Sequence, residues 1–292
     1  MSCTGGIRPP PEFLTRPCSI EALRWRAEWI RMETIRQIAG AGLGHYSSVF
    51  SAAELLAVLY YRTLRLDPAN PQWTGRDKFL LGKGHIGVGL WPILADLGYF
   101  PAAWLDDFGQ MDAPLTDHPV MRQVPGVDFS SGSLGHNLSV GVGMCLASRF
   151  RGGDDRTFVL LGDGELHEGQ VWEAAMAASH YKLGNLVAIV DANGSSADGP
   201  TSDVMNIEPV AGRFEAFGWR AIEMDGHDVS RIVEVLDDLP DARTAVPTVI
   251  VARTLKGKGV SFMEAAPREW HLGFLGPDDR QRAEGEIRSR MR

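Results

Sequence analysis

The sequence predicts an α/β protein built on a doubly wound, mainly parallel sheet with helices on both faces. Short apolar runs of strand character alternate along the chain with amphipathic segments of helical periodicity, which is the pattern of β–α–β units. Two of these runs, TFVLLGDG and NLVAIVDANG, end in a polar residue next to glycine, with a helix-like segment between them. No internal repeat interrupts the alternation.

The first half of the chain contributes helices and one strand. Residues 19–39 place apolar side chains near one face and predict a helix. Ser51 is followed three residues later by Glu54, the pattern of a capping box, so we expect a second helix to begin at Ser51. DKFLLGKGH predicts a strand that ends in a glycine loop, and SLGHNLSVGVGMCLASRF predicts a buried helix whose small residues permit close packing.

The second half continues the alternation of strands and helices. Strands are predicted at 157–161 and 186–191, with a helix over 168–181 between them. A polar loop, SSADGPTSDV, precedes a helix near 209–217, a strand in WRAIEMDG, a helix from about Val229 and a strand in PTVIVARTL. Ligands of parallel α/β sheets bind at the carboxyl ends of the strands, so the loops after these strands are candidate sites.

Composition narrows the class of protein. The 292 residues are 44% hydrophobic and 23% charged, which is typical of a globular protein with one large domain or two smaller ones. The net charge of −8 argues against nucleic-acid binding and against binding to anionic membranes. No apolar run reaches the ~18 residues of a membrane span. Three irregularly spaced cysteines give neither a zinc pattern nor a disulfide framework, which favours a reducing cytoplasm: Cys3, Cys18 and Cys145.

The N-terminus differs in composition from the rest of the chain. It is rich in proline and glycine and lacks the apolar core of a signal peptide. We therefore expect residues 1–18 to form a flexible tail and residues 19–292 to form a single domain.

The two polar strand ends predict a site for a metal ion and a phosphate. If Asp163 and Asn193 end neighbouring parallel strands, their oxygens can converge on a hard cation such as Mg²⁺. Gly162 and Gly164 allow close approach of the backbone, and the helix after Gly164 directs free N–H groups to the same place. The alternative is a plain strand-to-helix turn in which Asp163 only caps the helix. The sequence contains no P-loop motif and no G-x-G-x-x-G motif.

Four histidines stand in loop-like settings beside predicted strand ends: His45, His85, His118 and His271. Imidazole donates hydrogen bonds to phosphate oxygens and exchanges protons near neutral pH, so these side chains are candidates for catalysis. Their spacing gives no metal-binding pair on one helix, which argues against a zinc site. The alternative is that each is a surface or structural histidine.

Several strings of the sequence resemble one family. GDGELHEGQVWEAAMAASHYKLGNLVAIVDANG, PGVDFSSGSLG, DGPTSDVMNIEP, FGWRAIEMDGHD and RTLKGKGVSFME are similar to the first half of transketolase, which binds thiamine diphosphate. The resemblance runs from about residue 20 to residue 274 and points to the N-terminal subunit of two-component transketolases. It implies a thiamine-diphosphate-binding fold, with residues 19–292 as the diphosphate-binding domain.

The resemblance also implies roles for individual residues. Mg²⁺, or Ca²⁺ or Mn²⁺ in its place, would be held by Asp163, Asn193 and the backbone carbonyl of Ser195. Catalytic roles would belong to the four loop histidines and to a glutamate at the interface between two cofactor sites: His45, His85, His118, His271 and Glu168. The cofactor would be bound by His85, Gly132, Leu134, Gly162, Asp163, Gly164, Glu165, Asn193 and His271.

The implied activity is transfer of a two-carbon ketol unit from a ketose or ketose phosphate to an aldose. In the family, the glutamate that activates the aminopyrimidine and most residues that bind the sugar phosphate lie in a second, pyrimidine-binding half, whereas this chain resembles the first. We therefore expect a pyrimidine-binding partner subunit of similar size, about 300 residues, in an α2β2 heterotetramer that acts on sugars or sugar phosphates.

Three loops depart from the family pattern. The family's His-Pro-Gly-Gly is His45-Tyr46-Ser47-Ser48 here, its Gly-Gln-Gly is Gly135-His136-Asn137, and its bulky apolar loop after Asn193 is Ser195-Ser196-Ala197. The first of these departures leaves the donor sugar open.

Two other interpretations stay open. An α-type subunit of a 2-oxo-acid decarboxylase or dehydrogenase shares the cofactor motif. A catalytically idle partner that acts only in assembly is the second alternative.

Overall fold

The computed structural model describes residues 16–291. In this part of the chain five parallel strands form one sheet in the order β1–β2–β3–β5–β4. The strands are β1 (Lys78–Leu81), β2 (Thr157–Gly162), β3 (Leu186–Ala192), β4 (Arg220–Asp225) and β5 (Thr248–Arg253).

Helices precede, connect and follow the strands. They are α1 (Ile20–Ala41), α2 (Tyr46–Val58), α3 (Gly87–Asp96), α4 (His136–Phe150), α5 (Gly169–His180), α6 (Thr201–Val204), α7 (Val210–Ala216), α8 (Val229–Asp237), α9 (Ser261–Ala265) and α10 (Pro277–Arg290). A π-helical turn at Leu59–Thr63 extends α2, and 3-10 turns occur at Gly84–Ile86, Ala102–Asp107 and Gly164–His167. No helix within residues 16–291 is both long enough and apolar enough to cross a membrane.

The sheet has a buried core on each face. Successive side chains of a strand point to opposite faces, and in β2 Phe158 and Leu160 join one apolar cluster while Val159 and Leu161 join the other. Helices α1, α2, α3 and α8 pack on the first face, and α4, α5 and α7 pack on the second. The prediction of a doubly wound parallel sheet is therefore confirmed.

The strand order agrees with the handedness of parallel connections. The connection from β2 to β3 moves one place across the sheet, and its helix α5 lies on the second face. The connection from β4 to β5 moves in the opposite direction, and its helix α8 lies on the first face. The two connections differ both in their direction across the sheet and in the face on which their helix lies. Because both are reversed, the two crossovers have the same hand, as the preference for right-handed connections requires.

The ends of the predicted elements are mostly close to the observed ones. Helix α1 begins after Ser19, whose hydroxyl accepts a hydrogen bond from the Ala22 N–H at 3.2 Å. It ends at Ala41 and is followed by the capping residue Gly42, which has a φ of +84° that favours glycine. Of the tail predicted over residues 1–18, residues 1–15 lie outside the described residues. Cys18 is buried, and its N–H donates to the Tyr61 carbonyl at 3.2 Å, so packed structure begins before residue 19.

The predicted start of the second helix is wrong. Helix α2 begins at Tyr46, so Ser51 lies inside the helix rather than at its N-terminus. The Ser51 hydroxyl donates to the carboxylate of Asp191 at 2.6 Å, and Glu54 binds Arg31 at 2.6 Å. The residues that match a capping box are used for tertiary contacts instead of a cap.

The small-residue helix α4 is only half buried. Leu138 and Cys145 are fully covered, whereas Gly143 and Ala147 are exposed and Phe150 is 87% exposed. The prediction of a buried helix is therefore wrong for the outer face of α4, which is exposed in the single chain.

Candidate active site

Four loops meet at the carboxyl edge of the sheet. They follow β1, β2, β3 and β5, which are consecutive neighbours, so the ends of these strands lie side by side. The loops surround a cavity of about 290 Å³. Its lining consists of Ser48, Lys83, His85, Leu134, Gly162, Asp163, Gly164, Glu165, His167, Glu168, Asn193, Ser195, Ser196, Ala197, Asp198, Val204, Lys256 and His271.

Asp163 lies at the end of β2 with its side chain in the cavity wall and only 4% exposed. One carboxylate oxygen accepts the Gly194 N–H at 2.5 Å and the other accepts the Gly164 N–H at 2.8 Å. Burial and the nearby Asp191 carboxylate raise the pKa of Asp163 to about 6. The side chain caps the 3-10 turn after β2 and at the same time joins the ends of β2 and β3.

Asn193 and Ser195 lie beside Asp163 in the cavity wall. The Asn193 amide nitrogen donates to Asp191 at 3.3 Å, and its amide oxygen accepts the Ser195 N–H at 3.1 Å. The Ser195 carbonyl accepts a hydrogen bond from the Lys256 ammonium at 3.1 Å. The structure thus brings the three predicted metal ligands to one cavity, as one carboxylate, one amide and one carbonyl.

Lys256 is a cavity residue that the sequence pattern did not reveal. It is 2% exposed, and its ammonium donates to the carbonyls of Ser195 and Ser196 at 3.1 Å each. Among residues 16–291, no carboxylate lies within 4.0 Å of this ammonium, since all ion pairs of the described residues involve other cations. Burial and the nearby Lys83 lower the pKa of Lys256 to about 8. The only sequence signal is its position directly after the strand PTVIVARTL.

A second lysine in the cavity wall is paired. The Lys83 ammonium binds the carboxylate of Asp191, and both residues are almost completely buried. Asp191 also accepts hydrogen bonds from the Ser51 and Thr254 hydroxyls. Burial opposes ionisation of Asp191, but Lys83 and the two hydroxyls hold its pKa below the ordinary value.

The four loop histidines converge at one side of the cavity. The ring centroid of His45 lies 5.0 Å from that of His85, 5.3 Å from that of His271 and 6.5 Å from that of His118. The His85 and His271 centroids are 5.4 Å apart. Residues from four separate segments therefore form a single imidazole cluster, and His85 and His271 also line the cavity.

His85 and His271 are held in their neutral forms. Burial and the Lys83 ammonium lower the pKa of His85 well below its ordinary value. Burial, Lys256 and His45 lower the pKa of His271 to about 3. A hydrogen bond of 3.2 Å joins Nδ1 of His271 to the Ser48 hydroxyl. At neutral pH each ring can therefore both donate and accept one hydrogen bond.

The loop 131–135 forms another part of the wall. Leu134 lines the cavity, and Gly132 adopts a φ of +146° close to the His118 ring. At Gly84 an added Cβ would lie 2.5 Å from Cβ of Ser131, so only glycine permits the loops after β1 and before α4 to meet.

The two glutamates of the GDGELHEG string have different surroundings. The Glu165 carboxylate accepts N–H groups of Gly135 at 2.9 Å and Gly162 at 3.1 Å, and burial raises its pKa to about 7. Glu168 is exposed at the cavity rim, directly before α5. A Cβ at Gly135 would lie 2.6 Å from the Glu168 Cβ.

The chemistry of this lining fits a diphosphate with a divalent cation. Lys256 is a buried cation without a carboxylate partner in the described chain, which suits a bound anion. Asp163, Asn193 and the Ser195 carbonyl supply oxygen ligands of the kind that Mg²⁺ prefers. The remaining wall adds glycine backbone and neutral imidazoles.

Comparison with known proteins supports the diphosphate part of this chemistry. The sequence model of a family described as "Transketolase, thiamine diphosphate binding domain" matches residues 24–286. The chain belongs to the transketolase family. It is 37% identical over 272 residues to a protein of Phocaeicola vulgatus that is named as an apulose-4-phosphate transketolase subunit, a match that covers 93% of this chain and 96% of the relative.

Other transketolases match in sequence and in structure. The 6-deoxy-6-sulfo-D-fructose transketolase subunit SqwG of a Clostridium species is 40% identical over 242 residues, covering 83% of this chain and 88% of the relative. Human transketolase is 39% identical over 255 residues, covering 86% of this chain but 40% of the human protein. The transketolase structure from Campylobacter jejuni has a TM-score of 0.84 at 28% identity, covering 91% of this chain and 42% of the other. The chain thus spans about two fifths of full-length transketolases.

Proposed function

We propose that this chain is the thiamine-diphosphate-binding subunit of a two-subunit transketolase. The complex would move a two-carbon ketol unit from a ketose or ketose phosphate to an aldose. The observation that carries the proposal is the buried, carboxylate-free Lys256 ammonium in the same cavity as Asp163 and Asn193. Two relatives of nearly the same length are named as transketolase subunits, which supports the same function.

In this proposal the metal is bound at the ends of β2 and β3. Asp163, Asn193 and the Ser195 carbonyl would hold Mg²⁺, or Ca²⁺ or Mn²⁺ in its place. Their oxygens now accept hydrogen bonds from Gly194, Ser195 and Lys256, respectively. A divalent cation would compete with these donors for the same lone pairs, and phosphate oxygens and water would complete its coordination.

Other residues of the lining, together with Gly132, would bind the cofactor. Its diphosphate and rings would be held by His85, Gly132, Leu134, Gly162, Gly164, Glu165, Lys256 and His271. Bound thiamine diphosphate would supply an electron sink for the carbanion formed when a carbon–carbon bond breaks. Because His85 and His271 are neutral, each can orient a hydroxyl or carbonyl oxygen through one donated and one accepted hydrogen bond.

The two cluster histidines outside the cavity lining would bind the sugar. His45 is near His85 and His271, and His118 is near His45, but neither His45 nor His118 lines the diphosphate cavity. We propose that they contact donor and acceptor hydroxyls and transfer protons to and from them.

A partner subunit would complete the site. Helices α4 and α5 lie side by side and point the same way, because His136 contacts Gln170 at their N-termini and Arg149 binds the Tyr181 carbonyl at 2.7 Å at their C-termini. Their outer face exposes Phe150, Met176 and Tyr181 together with small residues of α4. Exposed apolar surface of this kind is typical of a protein interface.

We propose that this outer face and Glu168 contact other subunits in an α2β2 complex with a pyrimidine-binding subunit of about 300 residues. Obligate interfaces of this type bury about 2,000–5,000 Å². Residues 19–292 would form one domain of the complex. The buried thiol of Cys145 supports a cytoplasmic location.

The test is co-purification of the chain with its partner and an assay of glycolaldehyde transfer with thiamine diphosphate and Mg²⁺. We expect ketol transfer by the complex and none by the single chain. Asp163→Ala should abolish metal-dependent cofactor binding and turnover, whereas Asp112→Asn, an exposed carboxylate, should leave both unchanged. Decarboxylation of a 2-oxo acid would instead indicate a decarboxylase or dehydrogenase subunit. An intact complex that is indifferent to Asp163→Ala would indicate an idle assembly partner.

A further inference from the structure

Asp117 lies between two histidines of the imidazole cluster. Its carboxylate oxygen Oδ2 is 3.3 Å from Nδ1 of His45 and 3.5 Å from Nδ1 of His118. The other oxygen, Oδ1, is 3.4 Å from Nδ1 of His45. The His45 side chain is 12% exposed and that of Asp117 is 35% exposed, so the contact is at the mouth of the site and partly shielded from water.

The backbone around Asp117 is held from both sides. The indole N–H of Trp91 donates to the Thr116 carbonyl at 3.0 Å, and the Ser131 N–H donates to the Pro119 carbonyl at 2.9 Å. A Cβ at Gly87 would lie 2.6 Å from the Asp117 carbonyl oxygen, so helix α3 packs directly against this segment. The position of the carboxylate is therefore set by packing and not by an unattached loop.

The contact favours Nδ1 of His45 as the nitrogen that carries the proton. An ionised carboxylate only accepts hydrogen bonds, so Nδ1 of His45 must be the donor. In the neutral ring Nε2 then has a free lone pair. Two of the other cluster members lack this constraint: among residues 16–291, no carboxylate lies within 4.0 Å of a ring nitrogen of His85 or His271, whereas Nδ1 of His118 also faces Asp117 at 3.5 Å. Nδ1 of His271 faces the Ser48 hydroxyl, which can donate or accept.

We propose that Asp117 is a positioning residue that fixes His45 as the Nδ1–H tautomer, so that Nε2 of His45 accepts the proton of a sugar hydroxyl. The proposal rests on the proposed function for the identity of the substrate. In this step the O–H bond of the sugar breaks and an N–H bond forms at Nε2. The resulting imidazolium is stabilised by the Asp117 carboxylate and returns the proton when the product forms. The groups that face His45 are Asp117 and the rings of His85, His118 and His271.

The tautomer can be measured without cofactor or substrate. The full-length chain, labelled with ¹⁵N at histidine, is examined by NMR at pH 9, well above the ordinary histidine pKa of about 6.5. The His45 signals are identified by their loss in His45→Gln. We expect the Nδ1–H tautomer in the wild-type chain and a loss of this tautomer in Asp117→Asn. A wild-type His45 with its proton on Nε2 would overturn the proposal, whatever the activity.

The catalytic consequence is measured in the complex with the partner subunit. Asp117→Asn should lower kcat by at least about 10-fold while KM changes much less, because the substrate contacts remain. Asp117→Glu keeps the charge and should restore part of kcat. Asp112→Asn is the matched control, since it removes the same charge from the same loop at an exposed residue whose φ of +63° asparagine tolerates.

The outcomes separate this inference from the proposed function. A normal kcat in a folded Asp117→Asn complex, judged by its circular dichroism and thermal unfolding, would overturn the role of Asp117 as the positioning residue of His45. A wild-type complex without ketol transfer would overturn the proposed function. The NMR tautomer would in that case still decide whether Asp117 fixes His45.

Discussion

The Lys83 ammonium and the Asp191 carboxylate form a buried ion pair at the cavity, with side-chain exposures of 2% and 0%. The two residues are 108 positions apart in the chain and join the loop after β1 to the end of β3. A pair of this kind contributes little net stability compared with an apolar pair, but the loss of one partner leaves an uncompensated buried charge. The pair therefore fixes the loop after β1 relative to the end of β3 at the site.

Replacement of Lys83 alone should destabilise the fold. Lys83→Met leaves Asp191 charged, buried and bonded only to neutral donors, so we expect the free energy of unfolding to fall by about 3–5 kcal/mol. The measurement is urea denaturation of the full chain. The double variant Lys83→Met/Asp191→Asn removes both charges and should recover part of the loss. A loss below about 1 kcal/mol in the single variant would contradict the ion pair as described.

Lys256 should matter for anion binding. Charge-assisted hydrogen bonds contribute about 1.5–3 kcal/mol, so Lys256→Met should weaken binding of pyrophosphate with Mg²⁺ by about 10- to 150-fold. Isothermal titration calorimetry of the full chain measures this change. Lys258→Met is the matched control, because it removes the same charge two residues away, outside the cavity lining. Equal losses in both variants would indicate a general charge effect.

Burial of His85 should make stability depend on pH. The pKa of His85 is lowered in the folded chain, so the unfolded chain binds more protons below about pH 6.5. Stability from this residue is thus present above pH 6.5 and is lost as the pH falls, by up to about 1.4 kcal/mol per pH unit. Urea denaturation at several pH values between 5 and 8 gives the free energy of unfolding as a function of pH. This free energy should change less steeply with pH in His85→Gln than in the wild type. Above pH 7 the two curves should run parallel, and parallel curves throughout would disprove the effect.

The outer face of α4 and α5 should be required for assembly. Phe150→Asp with Met176→Asp places two charges on apolar residues that are 87% and 56% exposed in the single chain. Folding should be unaffected, but burial of these charges in an interface would be costly, so complex formation should be lost. Size-exclusion chromatography with light scattering measures the assembly. Met111→Asp, at a residue 93% exposed elsewhere on the surface, should assemble normally.

The sequence was sufficient to predict the strands of the sheet because these strands are buried on both faces. Such strands appear as continuous apolar runs, and glycine marks their ends. The predicted strands 157–161 and 186–191 differ from Thr157–Gly162 and Leu186–Ala192 by one residue each. The same pattern located Asp163 and Asn193, since each directly follows its strand. The capping-box prediction at Ser51 was wrong because a short local motif does not show whether a polar side chain has a distant partner.

The remaining features of the site depend on contacts between residues far apart in sequence. Asp117 meets His45 across 72 positions, and Lys256 reaches the Ser195 carbonyl across 61. Neither contact has a periodic signature, because a polar pair is formed by the packing of the elements that carry it. The sequence by itself determined the order of the strands' apolar runs and the chemistry at their ends. Only the tertiary structure decided which charges are paired, which lysine is free for an anion and which histidines face a carboxylate. The reason is that hydrophobic patterns set burial, whereas polar contacts require defined positions in space.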